Sequence, residues 1–353
     1  MNKTSQPTIT TIIPTYRRPK LLERAIRSVL AQTYPHFKVC VYDNASGDET
    51  AEVVAEITKT DSRVSYYCHA ENIGMFENHK FGVERVETDY YSFLPDDDFA
   101  LPNFYDTTLA GFENHPDAII SATDVIHLSP AGNILRTSLE SWDSGYYPPP
   151  TGLSAIAKNG HVEFSGILFK QETIALVGPW NKEVGTANDL DFSMRIAAHH
   201  PIVVSKTPGA IFNTYRRAPH PFELSRLGFS KMIASVVNDD EIPIILRDSI
   251  KTTLSTKFDS ELFQLGISYA SWGRYSDAQL AAQLIREHPG GRKRYLWLSN
   301  LIRIHKHVPF ASSVAGLLIV YRRHRQEQGF SNNQNRYSKI RKIPAVSEFL
   351  ETL

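Results

Sequence analysis

The strongest constraint on the fold is an alternation repeated along the first hundred residues. Short β-branched or aromatic runs are followed by stretches whose apolar residues recur at helical spacing. Residues 8–13 (TITTII) predict a buried strand ended by Pro14-Thr15-Tyr16, and Leu21, Leu22, Ala25, Ile26, Val29 and Leu30 then mark one face of a helix. Residues 37–42 (FKVCVY) predict a second strand. Ser46-Gly47-Asp48-Glu49 matches a capping box before a helix lined by Val53, Val54 and Ile57. Residues 63–67 predict a third strand, 75–86 a helix and 90–94 a fourth strand. Strands alternating with helices predict a parallel α/β sheet with helices on both faces.

Beyond about residue 115 the alternation loosens. Residues 118–121 and 162–170 predict strands, and 171–177 and 189–198 predict helices. Between them, residues 140–160 are rich in Pro, Gly, Ser and Tyr, including Pro148-Pro149-Pro150, and predict a mobile loop. From about residue 229 the pattern is helical, and residues 262–288 resemble one helical hairpin of tetratricopeptide type. No second copy follows at a fixed period, so a solenoid is not expected.

In an open parallel sheet, ligands bind outside the carboxyl ends of the strands. Four polar clusters fall at such ends: Pro14-Thr15-Tyr16, Asp43-Asn44, residues 71–74 and Asp96-Asp97-Asp98. Three adjacent carboxylates raise one another's pKa values unless a cation neutralises them. Oxygen-only ligands suit Mg²⁺ or Mn²⁺, with a substrate diphosphate completing the shell. The triad is therefore either a metal seat or a solvated acidic turn. Tyr16 either stacks on a base or is a rim aromatic. Asp43 either accepts hydrogen bonds from a base or ribose, or caps the Ser46 turn.

These residues carry a resemblance. The stretch TTIIPTYRRPKLLERAIRSVLAQTYPHFKVCVYDNASGDET, with NIGMFENHKFGVERVETDYYSFLPDDDFALPNF at the right spacing, resembles the opening of an inverting family 2 glycosyltransferase of the GT-A fold. The resemblance is dense over residues 8–105 and resumes at 165–169 and at 180–197 (WNKEVGTANDLDFSMRIA). It implies a Rossmann-like mixed sheet with helices on both faces, in a catalytic domain over 1–228. A donor nucleotide-binding half would occupy 1–115 and an acceptor half 116–228, with a helical region over 229–353. It implies that Pro14, Thr15 and Tyr16 line the nucleobase pocket and that Asp43 binds the base. Asp96 and Asp97 would face the donor ribose and sugar, and Asp98 would bind Mn²⁺ or Mg²⁺. Asp189 matches the catalytic base, although the family's Glu-Asp is here Asn188-Asp189, and Asp191 is a weaker candidate. His79-Lys80 stand where the family often has Arg-Asn, with Lys80 a diphosphate contact. The family's Tyr-Arg-x-His is stretched here to Tyr215–His220, leaving His220 as a metal or diphosphate ligand or a surface histidine. The implied partners are a UDP- or dTDP-sugar donor and a glycan or lipid-linked acceptor in cell-surface polysaccharide synthesis.

Rival readings have sequence signatures of their own. A sugar nucleotidyltransferase or a Rossmann dehydrogenase needs a Gly-rich phosphate loop, and no glycine occurs in Pro14-Thr15-Tyr16-Arg17-Arg18. A degenerate transferase acting as a binding scaffold has no reason to retain Asp43, Asp96, Asp98 and Asp189 together. The formal charge is zero, which argues against a nucleic-acid binder, but it is unevenly spread. Residues 1–290 sum to −9 and residues 291–343 to +11. The basic segment, with apolar residues among its arginines, suits either a peripheral contact with an anionic membrane or packing on the acidic body. The polar first seven residues lack an apolar h-region, and the apolar run over 308–321 is 14 residues long and contains Pro309. A cytoplasmic protein is expected, bound at most peripherally to the inner membrane face.

Overall fold

The computed structural model describes residues 6–129, 132–213, 222–271, 273–287, 291–307 and 337–351. The expected opening is present as β1 (Ile9–Thr15), α1 (Pro19–Leu30), β2 (Phe37–Asp43), α2 (Thr50–Thr58), β3 (Val64–Cys68), α3 (Met75–Val83) and β4 (Tyr90–Phe93). The four strands are parallel, in the order β3-β2-β1-β4. Alternation along β1 explains the layers. Ile9 and Ile13 join Leu22, Ala25 and Ile26 of α1 in one core cluster. Ile12 points to the other face, against α3. Gly82 permits that approach, because a Cβ there would lie 2.8 Å from the Ile12 side chain.

The chain continues through β5 (Phe99–Ala100), α4 (Phe104–Asn114), β6 (Ile120–Leu128), β7 (Ile134–Thr137), β8 (Gly145–Tyr147), α5 (Thr151–Asn159), β9 (Ile167–Lys170), α6 (Thr173–Val177), α7 (Asn188–His199), β10 (Ile202–Asn213) and α8 (Phe222–Val237). β9 lies antiparallel between β4 and β6, and β10 pairs parallel with β6. The sheet is therefore mixed rather than purely parallel, and it has ten strands among the described residues. The carboxyl ends of β1, β2, β3, β4, β6 and β10 share one edge. β1 and β4 meet there at the point where the strand order reverses direction, the usual ligand crevice of such sheets.

Two sequence expectations are corrected. Residues 140–160 are not a structureless loop: β8 pairs with β10, and α5 packs on α7 with Gly152 against Ala197. The reason is apolar burial hidden among Pro and Gly, since Trp142, Leu153 and Ile156 are almost completely buried. The capping box does not form either. α2 begins at Thr50, whose amide donates to Asp48, while Ser46 is drawn away by Asp43.

The chain divides into two compact units. The sheet unit comprises residues 1–220, 224–236 and 336–353. Its last segment had been expected in the helical region, but Tyr337 and Val346 are buried with Leu101, Ile126, Leu128, Ile134 and Ile211. The second unit comprises residues 221–223 and 237–335. Its described helices are α9 (Ile244–Ser271), α10 (Tyr275–Glu287) and α11 (Arg292–His307). α9 and α10 form the expected hairpin, turning at Gly273, whose φ of +73° a side chain would strain.

Candidate active site

The loops after β1 and β2 are built as one piece. Asp43, 1% exposed at the end of β2, accepts from the Ser46 amide (3.0 Å), the Ser46 hydroxyl (2.5 Å) and the Tyr66 hydroxyl (2.6 Å). Ser46 Oγ in turn accepts from the Arg17 amide at 2.8 Å, and Arg17 Nε donates to the Ser46 carbonyl at 3.0 Å. Arg17 and Ala45 both hold left-handed backbones, with φ of 56° and 61°. The hydrogen bonds offset this strain, which for a non-glycine residue is of order 1–3 kcal/mol. Of the two roles left open for Asp43, the structure contains the turn-capping one. Pro14 is half-buried, Thr15 is buried, and Tyr16 is 39% exposed with the Arg17 guanidinium 5.1 Å from its ring centroid.

The acidic triad follows β4 and is not a solvated turn: all three carboxylates are buried. Thr15 Oγ1 donates to Asp96 Oδ2 at 2.8 Å, tying the ends of β1 and β4 together. Arg18 Nη1 lies 3.0 Å from Asp96 Oδ1 and 2.9 Å from Asp97 Oδ2, so both carboxylates converge on one cationic nitrogen. Asp98 turns inward, accepting from the Ser165 hydroxyl and, at 3.2 Å, from the Asn213 amide. The Asn213 side chain donates to the Asp97 carbonyl at 2.7 Å. Burial raises the Asp96 pKa, and Arg18 and Thr15 only partly offset it. Burial and then the Asp97 charge push Asp98 well above the usual carboxylate range, against its hydrogen bonds from Ser165 and Asn213. Charge placed on these groups is thus costly and favours a cation beside them.

Among the described residues, no group of three or more His, Cys, Asp or Glu side chains is arranged to hold a metal ion. Two converging carboxylates still fit Mg²⁺ or Mn²⁺, which commonly take one or two carboxylates and fill the shell with waters and substrate phosphates. The carboxylates that meet at a cation are Asp96 and Asp97, whereas the expected ligand Asp98 lies behind them.

On the acceptor side, Asp189 is exposed in the first turn of α7. Asp191, two residues on, is a structural group: it is buried, paired with Arg195 at 2.8 Å and bonded by Ser235. Asn188 is buried and its Oδ1 has no hydrogen-bond partner among the described residues. Lys80 is half-exposed and lies 3.7 Å from Glu84. Its neighbour His79 donates from Nδ1 to the Met75 carbonyl, and its ring lies beside Phe93 and Trp180. Desolvation lowers the His79 pKa, which favours the neutral ring. Tyr215, Arg216 and His220 lie outside the described residues.

Sequence reasoning did not assign Arg18, Ser165 or Asn213. A basic residue in the loop after β1, opposite an acidic triad, was a readable signal for Arg18. Ser165 and Asn213 reach the triad from the ends of distant segments, and nothing local marks them.

Residues 10–166 match the sequence model of glycosyl transferase family 2. A Campylobacter jejuni relative, GalNAc(5)-diNAcBac-PP-undecaprenol beta-1,3-glucosyltransferase, is 32% identical over 104 residues, 29% of this chain and 34% of its own length. The matched region spans only 21–38% of the first five curated relatives. The fold is similar to that of Staphylococcus aureus TarS 1–349 in complex with UDP-GlcNAc, with a TM-score of 0.62 at 16% identity, covering 87% of this chain and 89% of that one. It is also similar to the mannosyltransferase PcManGT of Pyrobaculum calidifontis in complex with GDP-Man and Mn²⁺, with a TM-score of 0.52 at 15% identity, covering 95% and 89%. Residues 10–166, from β1 to the turn before β9, thus carry the sequence pattern of glycosyl transferase family 2, within a fold similar to those of solved GT-A glycosyltransferases.

Proposed function

We propose that this protein transfers a sugar, with inversion, from a UDP- or dTDP-linked donor to a hydroxyl of a glycan or lipid-linked acceptor, in the synthesis of a cell-surface polysaccharide. The observation that carries the reading is the convergence of Asp96 and Asp97 on one cationic nitrogen, in the crevice between the carboxyl ends of β1 and β4. The relatives support it: one is named for action on an undecaprenol-linked glycan, and solved structures of similar fold hold UDP-GlcNAc, or GDP-Man with Mn²⁺.

Pro14, Thr15 and Tyr16 line the nucleobase end, with the exposed Tyr16 ring available for stacking, and Asp43 holds the loop beside them. Asp96 and Asp97 hold a divalent cation, with Asp98 fixing their backbone from behind and His220 a further ligand expected from the family resemblance. When bound, the cation neutralises charge on the leaving nucleoside diphosphate. Asp189 takes the proton of the acceptor hydroxyl as that oxygen attacks the sugar C1, and the bond from C1 to the diphosphate oxygen breaks. The first helical turn of α7 suits an anionic base. Lys80 approaches the diphosphate from α3.

The basic segment 291–343 docks the protein on an anionic inner-membrane face. Support comes from α11, where Leu296, Trp297 and Ile304 are exposed among Arg292, Lys293, Arg303 and Lys306. Among the described residues, no helix is long and apolar enough to cross a membrane.

The test is a panel of nucleotide sugars incubated with Mn²⁺ or with chelator, reading nucleoside-diphosphate release. Metal-dependent release from a UDP- or dTDP-sugar is expected. Asp189→Asn should lower kcat by about 10²–10⁴-fold while leaving the donor Kd unchanged. Full wild-type turnover in excess chelator would refute the metal assignment, and a parallel fall in donor affinity would refute the base.

A further inference from the structure

Among the described residues, Arg18 lies between the two cleft-facing carboxylates, and the function proposed above leaves it without a role. Its Nη1 sits 3.0 Å from Asp96 and 2.9 Å from Asp97, bridging the two carboxylates. Both carboxylates are buried, whereas the Arg18 side chain is 42% exposed. The guanidinium can therefore leave toward solvent, and the carboxylates cannot. Its backbone is fixed. Leu22 donates to the Arg18 carbonyl in the first turn of α1, Pro19 follows, and the Arg17 amide is pinned by Ser46. Any movement is confined to the side chain. A dication and this guanidinium cannot share the same two oxygens, because two like charges at that separation repel strongly in a desolvated site.

We propose that Arg18 is a place-holding cation, displaced from Asp96 and Asp97 by the divalent ion and captured by the diphosphate of the incoming donor. The proposal rests on the donor and metal reading above. In the free protein Arg18 blocks the carboxylates, so metal alone binds weakly. A nucleoside diphosphate offers Arg18 a bidentate anionic partner of the kind guanidinium groups prefer. Metal and nucleotide thereby favour each other's binding through Arg18, in addition to any direct contact between the cation and the diphosphate. Arg18 is thus a positioning residue that couples the two ligands, and by linkage the coupling is reciprocal.

The test is Mn²⁺ binding to the full chain, read by the electron paramagnetic resonance of free Mn²⁺, with and without UDP or dTDP. In the wild type, nucleotide should tighten Mn²⁺ binding by about 5–150-fold, the usual span of such couplings. Arg18→Met should bind Mn²⁺ without nucleotide about tenfold more tightly than wild type, and the coupling should shrink by about the same factor to what direct contact between cation and diphosphate supplies. Arg18→Gln keeps a hydrogen-bond donor for both carboxylates without the charge, so it protects against a folding defect and should shift in the same direction. Variants that fold like wild type yet bind Mn²⁺ no more tightly, with coupling intact, would overturn the proposal while leaving the metal site standing. Absence of Mn²⁺ and nucleotide binding in wild type and variants alike would overturn both.

Discussion

Two ionic clusters sit on the same edge of the sheet, and their balances are opposite. In the first, Asp96, Asp97 and Asp98 are all buried, and among the described residues Asp96 and Asp97 meet the Arg18 guanidinium while Asp98 turns inward. In the second, a single carboxylate, Glu163, is approached by His127 at 3.3 Å, Arg136 at 3.4 Å and His161 at 3.8 Å. Their protonation follows the imbalance. Burial holds Asp96 and Asp98 above the ordinary carboxylate range, while burial of Glu163 is outweighed by the hydrogen bond from His127 and by the His161 and Arg136 side chains, which pull it down to about 2. The clusters are close: Ser165, two residues after Glu163, donates to Asp98, and the Glu163 charge adds to the rise at Asp98. One cluster is satisfied from within. The other gathers three neighbouring buried carboxylates at the crevice, and it is the one to which the proposed function assigns the ligand.

The sharpest break of this comparison comes from neutralising each cluster in turn. The double variant Asp96→Asn with Asp97→Asn removes the cation seat and should lower turnover by about 10²–10³-fold or more, in line with the loss of a preorganised charge stabiliser. Its melting temperature should no longer respond to Mn²⁺ plus nucleotide. A wild-type enzyme saturated about 100-fold above Kd should gain about 2.7 kcal/mol from the same ligands. Glu163→Gln should leave that ligand response in place. Equal loss of ligand response in both variants would erase the distinction between the clusters.

How much of this was legible differs between the same two regions. The triad and the strand ends around it were readable because β1 to β4 follow one another with short connections, so local periodicity and strand-end position sufficed. Thr15, Asp43 and Asp96 duly meet at neighbouring strand ends, with Thr15 bonded to Asp96. The Glu163 cluster was not readable. His127 comes from β6, Arg136 from β7 and Glu163 from the turn before β9, so they are joined only by antiparallel pairing. Asp98 shows the limit within the readable region: its type and position were evident, but its inward turn depends on Ser165 and Asn213, 67 and 115 residues away. Residues 140–160 failed for another reason. Their Pro and Gly content signals loop locally, and only burial of Trp142 and Leu153 against later segments fixes α5 and β8.

The second prediction concerns acid stability and separates the clusters by sign. A carboxylate whose folded pKa lies below its unfolded value contributes stability above the unfolded pKa and loses it as pH falls toward the folded one. For Glu163 the window runs from 4.5 down to about 2. The full effect is about 3 kcal/mol at 1.36 kcal/mol per pKa unit. Denaturant titrations at pH 7 and pH 3 should show the wild type losing part of that stability. Glu163→Gln, already lacking it, should be less stable at pH 7 and flatter across the window. Matching acid profiles would show that the His127, His161 and Arg136 contacts contribute nothing net.

The smallest effect is expected at Lys80, where the comparison reaches the protein surface. Lys80 is about half-exposed and its ion pair with Glu84, one helical turn on, is worth no more than about 0.5 kcal/mol. Lys80→Met should therefore leave the melting temperature unchanged within error. If the ammonium reaches the donor diphosphate, its loss removes an interaction of about 1 kcal/mol made equally in ground and transition states, so KM for the donor should rise about fivefold with kcat unaltered. That pattern would add a second cation to the donor side, one held on α3 rather than between the carboxylates. An unchanged KM would assign Lys80 to its surface pair with Glu84. The donor's charge would then fall to the proposed metal seat and to Arg18, the guanidinium that Asp96 and Asp97 hold in common.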